Sequence, residues 1–342
     1  MRALKKLSAL AAVAGLSVAL SGQARAQDFY KLATLGPGSS PYLVMSTFAQ
    51  LVGQKLPGVT IQVNATGAAT QHMIEATKDE LDFFMTSPTV FQAFKTKTAM
   101  YAKIEDAPER SKLVRNVLAF PIGSYHVITN ADSGITKYED FKGKKLFLGP
   151  PGGGATVTMI SLVKAITGYE AGKDYELVRV GWEAAAQAVQ DDRLDVYANP
   201  TIAPSPVIQQ IAISKKIRFI GITDEALEKP EVKAVTNRPG GVVEMIDPKL
   251  YGANVANTAP VRSIATIVSI ATRASLADDV VYKITKAFWE AAKDSHDRYP
   301  WLRNVKLEDA FRDLNAPLHP GAVKYYQEVG MKIPADLMPP KG

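Results

Sequence analysis

Residues 146–156 have the sequence LFLGPPGGGAT, in which three apolar residues are followed by a segment rich in proline and glycine. The apolar residues predict a buried strand. After the glycines, apolar residues recur at helical spacing over 159–166, and Gly168 is placed to end that helix. The stretch therefore predicts a strand, a glycine-rich turn and the start of a helix.

This turn is a candidate binding loop. Glycine has no Cβ, so a ligand can approach the backbone closely, and the free N–H groups at a helix start attract an anion such as a carboxylate. A tight connection that binds nothing is the alternative. The turn is not a Walker loop, because Ala155 stands where that motif needs a lysine, and 149–154 lacks the spacing of a dinucleotide fingerprint.

The same order of strand, small-residue loop and helix recurs along the chain, at 31–42, 59–74 and 81–94. Strands that alternate with helices predict an α/β fold with mostly parallel sheets flanked by helices. In such sheets ligands bind beyond the carboxyl ends of the strands. The pattern also gives three specific expectations. We expect Ser40 and Ser275 to be N-caps. We expect two separate strands at 113–120 and 125–129, and a connecting segment at 223–260.

The N-terminus predicts export. Residues 1–26 combine a basic start, an apolar run at 7–20 and the small-residue pattern Ala24-Arg25-Ala26, which together predict a signal peptide cleaved after Ala26. A retained membrane anchor is the alternative, but the run is short for a bilayer span. The chain has no cysteine, which excludes disulfides and a cysteine-linked lipid anchor. The expected location is the periplasm.

The charge gives little support to a nucleic-acid partner. The whole chain has 40 basic and 34 acidic residues, and four of the basic ones lie in 1–26. Without that segment the chain has 36 basic and 34 acidic residues, which gives a net charge of about +2. The expected state is a monomer that binds a small molecule.

Catalytic signatures are missing from the sequence. It contains neither a Gly-x-Ser-x-Gly nor a His-Glu-x-x-His motif, and without cysteine there is no thiol nucleophile. The four histidines, His72, His126, His296 and His319, do not have metal-ligand spacing, and no acidic cluster suggests a cation site. We therefore expect a protein that is not an enzyme and that uses neither a cofactor nor a metal.

Several blocks of this sequence resemble the TAXI family, the solute-binding subunits of tripartite ATP-independent periplasmic (TRAP) transporters. Their order and spacing behind a signal peptide, more than any single block, carry the resemblance. The blocks are Ala65-Thr66-Gly67, Leu81 to Ser87, His126 to Lys145, Gly149-Pro150-Pro151-Gly152, Glu183 to Asp195 and Asp278 to Tyr282.

The resemblance implies a two-lobed periplasmic binding protein of the type II kind, with the ligand held between two α/β lobes. Lobe 1 would comprise 27–125 and 241–342, and lobe 2 would comprise 126–240. The family's ligand contacts fall on the first loop, the Ala-Thr-Gly loop, a strand exit and the glycine-rich turn. In this sequence they are Thr34, Gly36, Ser39, Tyr42, Gly67, Ala68, Ser87, Gly152, Gly153, Gly154, Ala155 and Thr156.

Three further residues are candidates from the sequence itself. His126 could donate a hydrogen bond into the cleft, Trp182 could form an apolar wall, and Thr201 stands at a strand exit. A structural role is the alternative for both His126 and Trp182. The family often has a serine and an acidic residue where this chain has Ala69 and Pro88, which argues against a glutamate-like ligand.

The predicted function is capture of a small, carboxylate-bearing solute and its delivery to a TRAP-type membrane permease. Closure of the two lobes would trap the solute, because only the closed state makes both sets of contacts. A ligand-sensing module for a periplasmic signalling partner is one alternative, since its sequence would look the same. A periplasmic hydrolase or transferase is the other.

Overall fold

The computed structural model describes residues 27–66 and 68–340. The predicted signal peptide and the candidate site residue Gly67 lie outside the described residues. In the described part, ten strands form one sheet and eleven α-helices pack around it. No helix in this part has the length and apolar character that a bilayer span requires.

The strands are β1 (Asp28–Ala33), β2 (Val59–Asn64), β3 (Phe83–Thr86), β4 (Val114–Asn130), β5 (Lys145–Phe147), β6 (Glu176–Leu177), β7 (Val196–Thr201), β8 (Ile217–Phe219), β9 (Gly241–Ile246) and β10 (Val261–Arg273). The α-helices are α1 (Ser40–Lys55), α2 (Ala69–Ala76), α3 (Pro88–Lys95), α4 (Ala107–Ser111), α5 (Gly154–Thr167), α6 (Trp182–Gln190), α7 (Pro206–Ser214), α8 (Asp224–Glu228), α9 (Pro230–Thr236), α10 (Asp278–Lys293) and α11 (Pro320–Glu328). Short 3-10 helices lie at Ala99–Tyr101, Tyr138–Phe141, Pro248–Tyr251, Pro300–Asn304, Leu307–Asp309 and Ala335–Leu337.

The strand order is β2-β1-β3-β10-β4-β7-β5-β6, with β8 added to β4 and β9 added to β10. The outer strands pair in parallel, as predicted: β1 with β2 and β3, and β5 with β6 and β7. The pairs that include β4 or β10 are antiparallel. The two long strands thus lie between two parallel halves, and the predicted α/β class is confirmed.

Strand β4 is a single strand of 17 residues, so the prediction of two separate strands at 113–120 and 125–129 is wrong. Pro121 and Gly123 suggested a break, because both residues disfavour regular strands. Pairing with β10 holds the chain extended across that point: Gly123 lies opposite Thr266, and the register shifts by one residue beside it. The hydrogen-bonded pairing with β10 therefore outweighs the local preference of Pro121 and Gly123 for a break in the strand.

The core confirms two lobes. Its buried apolar side chains form four clusters, and two of them draw on 32–122 and 267–337, apart from Ile202. The other two draw on 125–264. The chain therefore passes between the lobes within β4 and again within β10, side by side.

The second passage bears on the predicted lobe limits. Ile246, Tyr251 and Val261 pack in the same cluster as Phe147 and Tyr197 of lobe 2. This packing favours a return to lobe 1 inside β10, later than residue 241. The limits at 125 and 241 themselves stay a prediction.

Three local expectations are corrected. Ser39, not Ser40, is the N-cap of α1, since its Oγ accepts a hydrogen bond from the backbone N–H of Tyr42. Helix α10 is preceded by Ala277, because the Ser275 hydroxyl donates instead to the Asp79 carboxylate at 2.6 Å. The segment 223–260 is not only a connection, because it contains α8, α9 and β9. Strand β9 pairs with β10, which the glycines and charged residues of the segment did not indicate.

The N-cap of α11 predicts a pH-dependent stability. The backbone N–H of Gly321 donates to His319 Nδ1 at 3.1 Å, so Nε2 carries the hydrogen that faces the Leu276 carbonyl at 2.9 Å. This ring is neutral. Burial lowers the pKa of His319 to about 4, and the nearby Asp278 carboxylate offsets only part of that shift.

Because the folded pKa lies below the ordinary value of 6.5, stability is present near neutral pH and is lost as the pH falls towards about 4. We expect a loss of about 3 kcal/mol from His319. His319→Asn keeps a capping side chain that does not titrate, so it should flatten this part of the profile. Urea unfolding of both proteins at several pH values between 7 and 4 measures this dependence. If the free energy of unfolding of the variant changed with pH as much as that of the unaltered protein, the role of His319 would be contradicted.

Candidate functional site

A cavity of about 260 Å³ lies between the lobes. Its floor is the pair of crossing strands, which contribute Ile122 and Tyr125 from β4 and Thr266 and Val268 from β10. Its walls come from loops that follow strands in both lobes. The cavity therefore occupies the cleft where parallel sheets place their ligands.

Five helices begin at this cavity. Each of them follows a strand or an extended segment, so the carboxyl ends of the strands bring their first turns together. The lining residues at these starts are Ser39 and Pro41 for α1, Ala68 and Ala69 for α2, Ser87, Thr89 and Val90 for α3, Gly153, Gly154 and Ala155 for α5, and Gly181 and Trp182 for α6.

The glycine-rich turn has the conformation that its sequence requires. Gly149 has a φ of 122°, and a Cβ at this position would lie 2.7 Å from Thr156 Oγ1 and 2.9 Å from its backbone N. The Thr156 hydroxyl donates to the Pro150 carbonyl at 2.6 Å, which closes the turn. Within the described residues the backbone N–H groups of Gly154 and Ala155 have no hydrogen-bond acceptor, so both are free to bind an anion.

The two predicted serines combine capping with cavity lining. Ser39 Oγ accepts from Tyr42 N at 3.3 Å and donates to the Gly36 carbonyl at 2.8 Å. Ser87 Oγ accepts from Val90 N at 3.2 Å. The Ser87 hydroxyl hydrogen has no acceptor among the described residues, so it can donate to a ligand without loss of the cap.

Eight of the candidate residues line the cavity together. They are Gly36, Ser39, Ala68, Ser87, Gly153, Gly154, Ala155 and Trp182. Six others do not line it, namely Thr34, Tyr42, His126, Gly152, Thr156 and Thr201. Whether the eight contact a ligand stays a prediction.

His126 lies inside lobe 2, away from the cavity lining. Its Nδ1 faces the Ser124 carbonyl at 2.7 Å, and its Nε2 faces the Tyr251 hydroxyl at 2.5 Å. Burial lowers the pKa of His126 to about 4, so the ring is neutral at physiological pH. The structure thus favours a structural role for His126 over a hydrogen bond to a ligand in the cleft.

Several polar contacts join the two lobes beside the cavity. The Ser40 hydroxyl donates to Thr201 Oγ1 at 3.2 Å and accepts from the Ile202 N–H at 3.0 Å. Asn199 Nδ2 donates to the Gly38 carbonyl at 3.3 Å. Thr201 is therefore a contact between lobes, and its hydroxyl goes on to donate to Ser205.

Two more such contacts lie at the other rim. Thr70 Oγ1 donates to the Gly152 carbonyl at 3.5 Å, and Thr89 Oγ1 donates to the Pro239 carbonyl at 3.4 Å. Gly152 therefore has a bridging role. These contacts join residues at or near the starts of lobe 1 helices to strand β7 and to loops of lobe 2, so movement of the lobes would break them.

The electrostatics of the cavity depend on the backbone. None of its lining residues in the described part is acidic, basic or a histidine. Burial raises the pKa of the Tyr125 hydroxyl, and the positive charge of Arg238 opposes that shift. Arg238 lies just beyond the wall, in the loop after α9, and makes the surroundings favourable to a negative charge.

Several lining residues could not be predicted from the sequence. Met85, Ile122, Thr266 and Val268 come from strands whose interior positions gave no polar signal. Arg238 lay in a segment predicted to be a connection. Pairing of β10 with β3 and with β4 brings the four strand residues to the cavity.

A profile of the NMT1-like family matches residues 32–330. Among solved structures, one described as a periplasmic transporter superposes with a TM-score of 0.52 and 16% identity, covering 88% of this chain and 92% of its own. This likeness supports the same overall fold.

Two other solved structures align less closely. A TRAP periplasmic solute-binding protein from Sulfitobacter sp. NAS-14.1, with bound β-D-galacturonate, has a TM-score of 0.46 and 10% identity, covering 89% of this chain and 88% of its own. The alkanesulfonate-binding protein from Xanthomonas axonopodis pv. citri, bound to MOPS, has a TM-score of 0.46 and 13% identity, covering 86% and 82%.

Proposed function

The chain belongs to the NMT1-like family, and from that premise we propose that it is a periplasmic solute-binding receptor of the TAXI type. It captures a small anion between its lobes and delivers it to a TRAP-type permease. The observation that supports this most is the convergence of five helix starts on one cavity between the lobes, whose floor is the pair of crossing strands. A binding site at this place is completed only when both lobes contribute to it.

The cavity can bind an anion without a charged side chain. A helix start contributes about 0.3–1 kcal/mol to binding a negative group when it is exposed, and more when it is partly buried. A hydrogen bond to a charged group adds about 1.5–3 kcal/mol. Two helix starts, the Ser87 hydroxyl and burial of the apolar part of the ligand are together sufficient for micromolar affinity, about 8 kcal/mol.

Release follows from the contacts between the lobes. Because few side-chain hydrogen bonds join the lobes in the described part of the chain, among them those of Ser40, Asn199 and Thr89, the ligand itself supplies much of the preference for closure. A permease that binds the open state more tightly would therefore reduce ligand affinity and receive the solute. This leaves no chemical step for the receptor.

The competing classes lack support at this site. The described lining residues include serines and threonines but no histidine, carboxylate, lysine or arginine that could act as a general base. A hydrolase or transferase is therefore the weaker reading. A sensing module is compatible with the same cavity, and the neighbouring gene, a permease or a sensor, separates it from a transport receptor.

A thermal-shift panel tests the proposal. The purified protein is unfolded and refolded to remove any retained solute, then heated with carboxylates, amino acids, 2-oxo acids, aromatic acids and sugars. A bound solute at about 100 times its dissociation constant stabilises the protein by about 2.7 kcal/mol. We expect a shift with a carboxylate class and no consumption of that compound. Turnover of the compound would overturn the receptor, and a shift only with neutral solutes would overturn the anion site.

A further inference from the structure

The wall of the cavity is apolar as well as uncharged. Leu35, Met85, Val90, Ile122 and Val268 line it, together with prolines and the rings of Tyr125 and Trp182. A ligand's ammonium group would lie here without a carboxylate partner, and a second carboxylate would have no charged partner among the described lining residues. Both situations are strongly unfavourable, because burial of an unpaired charge is opposed by desolvation.

The volume of the cavity indicates the size of the part of the ligand that it can enclose. A cavity of about 150 Å³ holds one benzene molecule. A cavity of about 260 Å³ is therefore filled by roughly ten non-hydrogen atoms. After one carboxylate is placed, the rest of the ligand faces apolar side chains.

Trp182 supplies an independent sign of a ligand. It lines the cavity, it is only 5% exposed, and its indole N–H has no hydrogen-bond acceptor among the described residues. Indole nitrogen is a donor only, and a buried donor without an acceptor is unfavourable. An acceptor brought by the ligand would satisfy it.

Trp182 packs in the same part of lobe 2 as the first turn of α5. Its ring packs edge-on against Phe147, with 5.3 Å between the ring centroids. Ala155, in the first turn of α5, packs against the same cluster. The indole and the free N–H groups of α5 therefore belong to one side of the cavity, the side that lobe 2 forms.

From these observations, and resting on the proposed function, we propose that the cavity selects a monoanion with an apolar body. Its carboxylate is bound by the first turn of α5 and by the indole N–H of Trp182, and its aromatic or aliphatic remainder fills the apolar wall. Amino acids and dicarboxylates are disfavoured because no described lining residue is charged, and sugar acids are disfavoured because most of the wall is apolar.

Calorimetric titration of the refolded protein tests this selectivity with probes of similar size. Phenylacetate and octanoate are compared with phenylacetamide, glutamate and suberate. We expect at least one of the two apolar acids to bind at least tenfold more tightly than the three comparison compounds. Tighter binding of glutamate or suberate would overturn this inference and leave the receptor function standing, and tighter binding of phenylacetamide would overturn the anion site as well. Absence of binding by every solute in this set and in the wider panel would overturn the receptor function itself.

Two variants test the indole. Trp182→Phe keeps an aromatic ring and removes the donor, and we expect it to weaken binding of the preferred acid at least tenfold. Trp301→Phe is the matched control, because the indole N–H of Trp301 also lacks an acceptor but packs against the core of lobe 1. Equal affinities for the two variants would overturn the role of Trp182.

A measurement on the unaltered protein covers the case in which Trp182→Phe does not fold. The chain has three tryptophans, so a ¹⁵N-labelled sample gives three indole N–H signals in an NMR spectrum. Addition of the acid should move one of them strongly downfield, as a new hydrogen bond to a carboxylate forms. Three unmoved signals in the presence of saturating acid would contradict the proposed contact.

Discussion

Ala155→Asp is expected to weaken binding of the anionic ligand more than about 100-fold, equivalent to about 2.7 kcal/mol, without lowering the free energy of unfolding. Ala155 is the second residue of α5 and lines the cavity. A carboxylate in the first turn of a helix interacts favourably with the helix dipole, by about 0.3–1 kcal/mol. The same carboxylate would occupy the free N–H groups and repel a second negative charge.

Ala155→Asn separates charge from size. Asparagine has nearly the same shape as aspartate, so both variants reduce the space in the cavity equally. We expect the neutral variant to retain clearly more affinity than the acidic one in a calorimetric titration. Equal losses would mean that the cavity discriminates only by volume, and would contradict an anion site at α5.

Gly123→Ala is expected to destabilise the protein by more than about 3 kcal/mol, or to prevent folding. Gly123 has a φ of 88°, and a Cβ there would lie 2.0 Å from the carbonyl oxygen of Thr201 and 2.4 Å from its carbonyl carbon. Thr201 is paired with Ser124 in the ladder between β4 and β7. The backbone would have to separate at the point where the chain first passes between the lobes.

Gly134→Ala is the matched control for this prediction. Gly134 also has a positive φ, 77°, but nothing lies within 4 Å of the position of its Cβ. Alanine at this position is therefore destabilising only through the left-handed backbone conformation, by about 1–2 kcal/mol. Urea unfolding of the two variants should therefore differ clearly. Equal destabilisation would show that the contact between Gly123 and Thr201 does not constrain the crossing.

The parts of the fold that the sequence predicted are those set by local chemistry. The glycine-rich turn led into α5, and Gly168 ends that helix with a left-handed φ of 80°, as its position indicated. The alternation of strands and helices gave the α/β class. Strand β4 was missed as a continuous element, because Pro121 and Gly123 resemble a turn and only pairing with β10 keeps them extended.

The candidate site could be predicted in part for the same reason. Loops that follow parallel strands gather at one edge, so Gly36, Ser87 and Gly154 come together although they are distant in sequence. The assignment of polar side chains was less dependable. His126 and Thr201 have partners inside the protein that no spacing rule identifies.

The most direct test of the account is native mass spectrometry of the refolded protein and of Ala155→Asp, each incubated with the same mixture of small acids, amino acids and sugars. We expect the unaltered protein to gain the mass of one small acid at a stoichiometry of one. We expect Ala155→Asp to gain none at the same concentration. An equal adduct on both proteins, or binding of a neutral solute alone, would contradict an anion site in the cleft between the lobes.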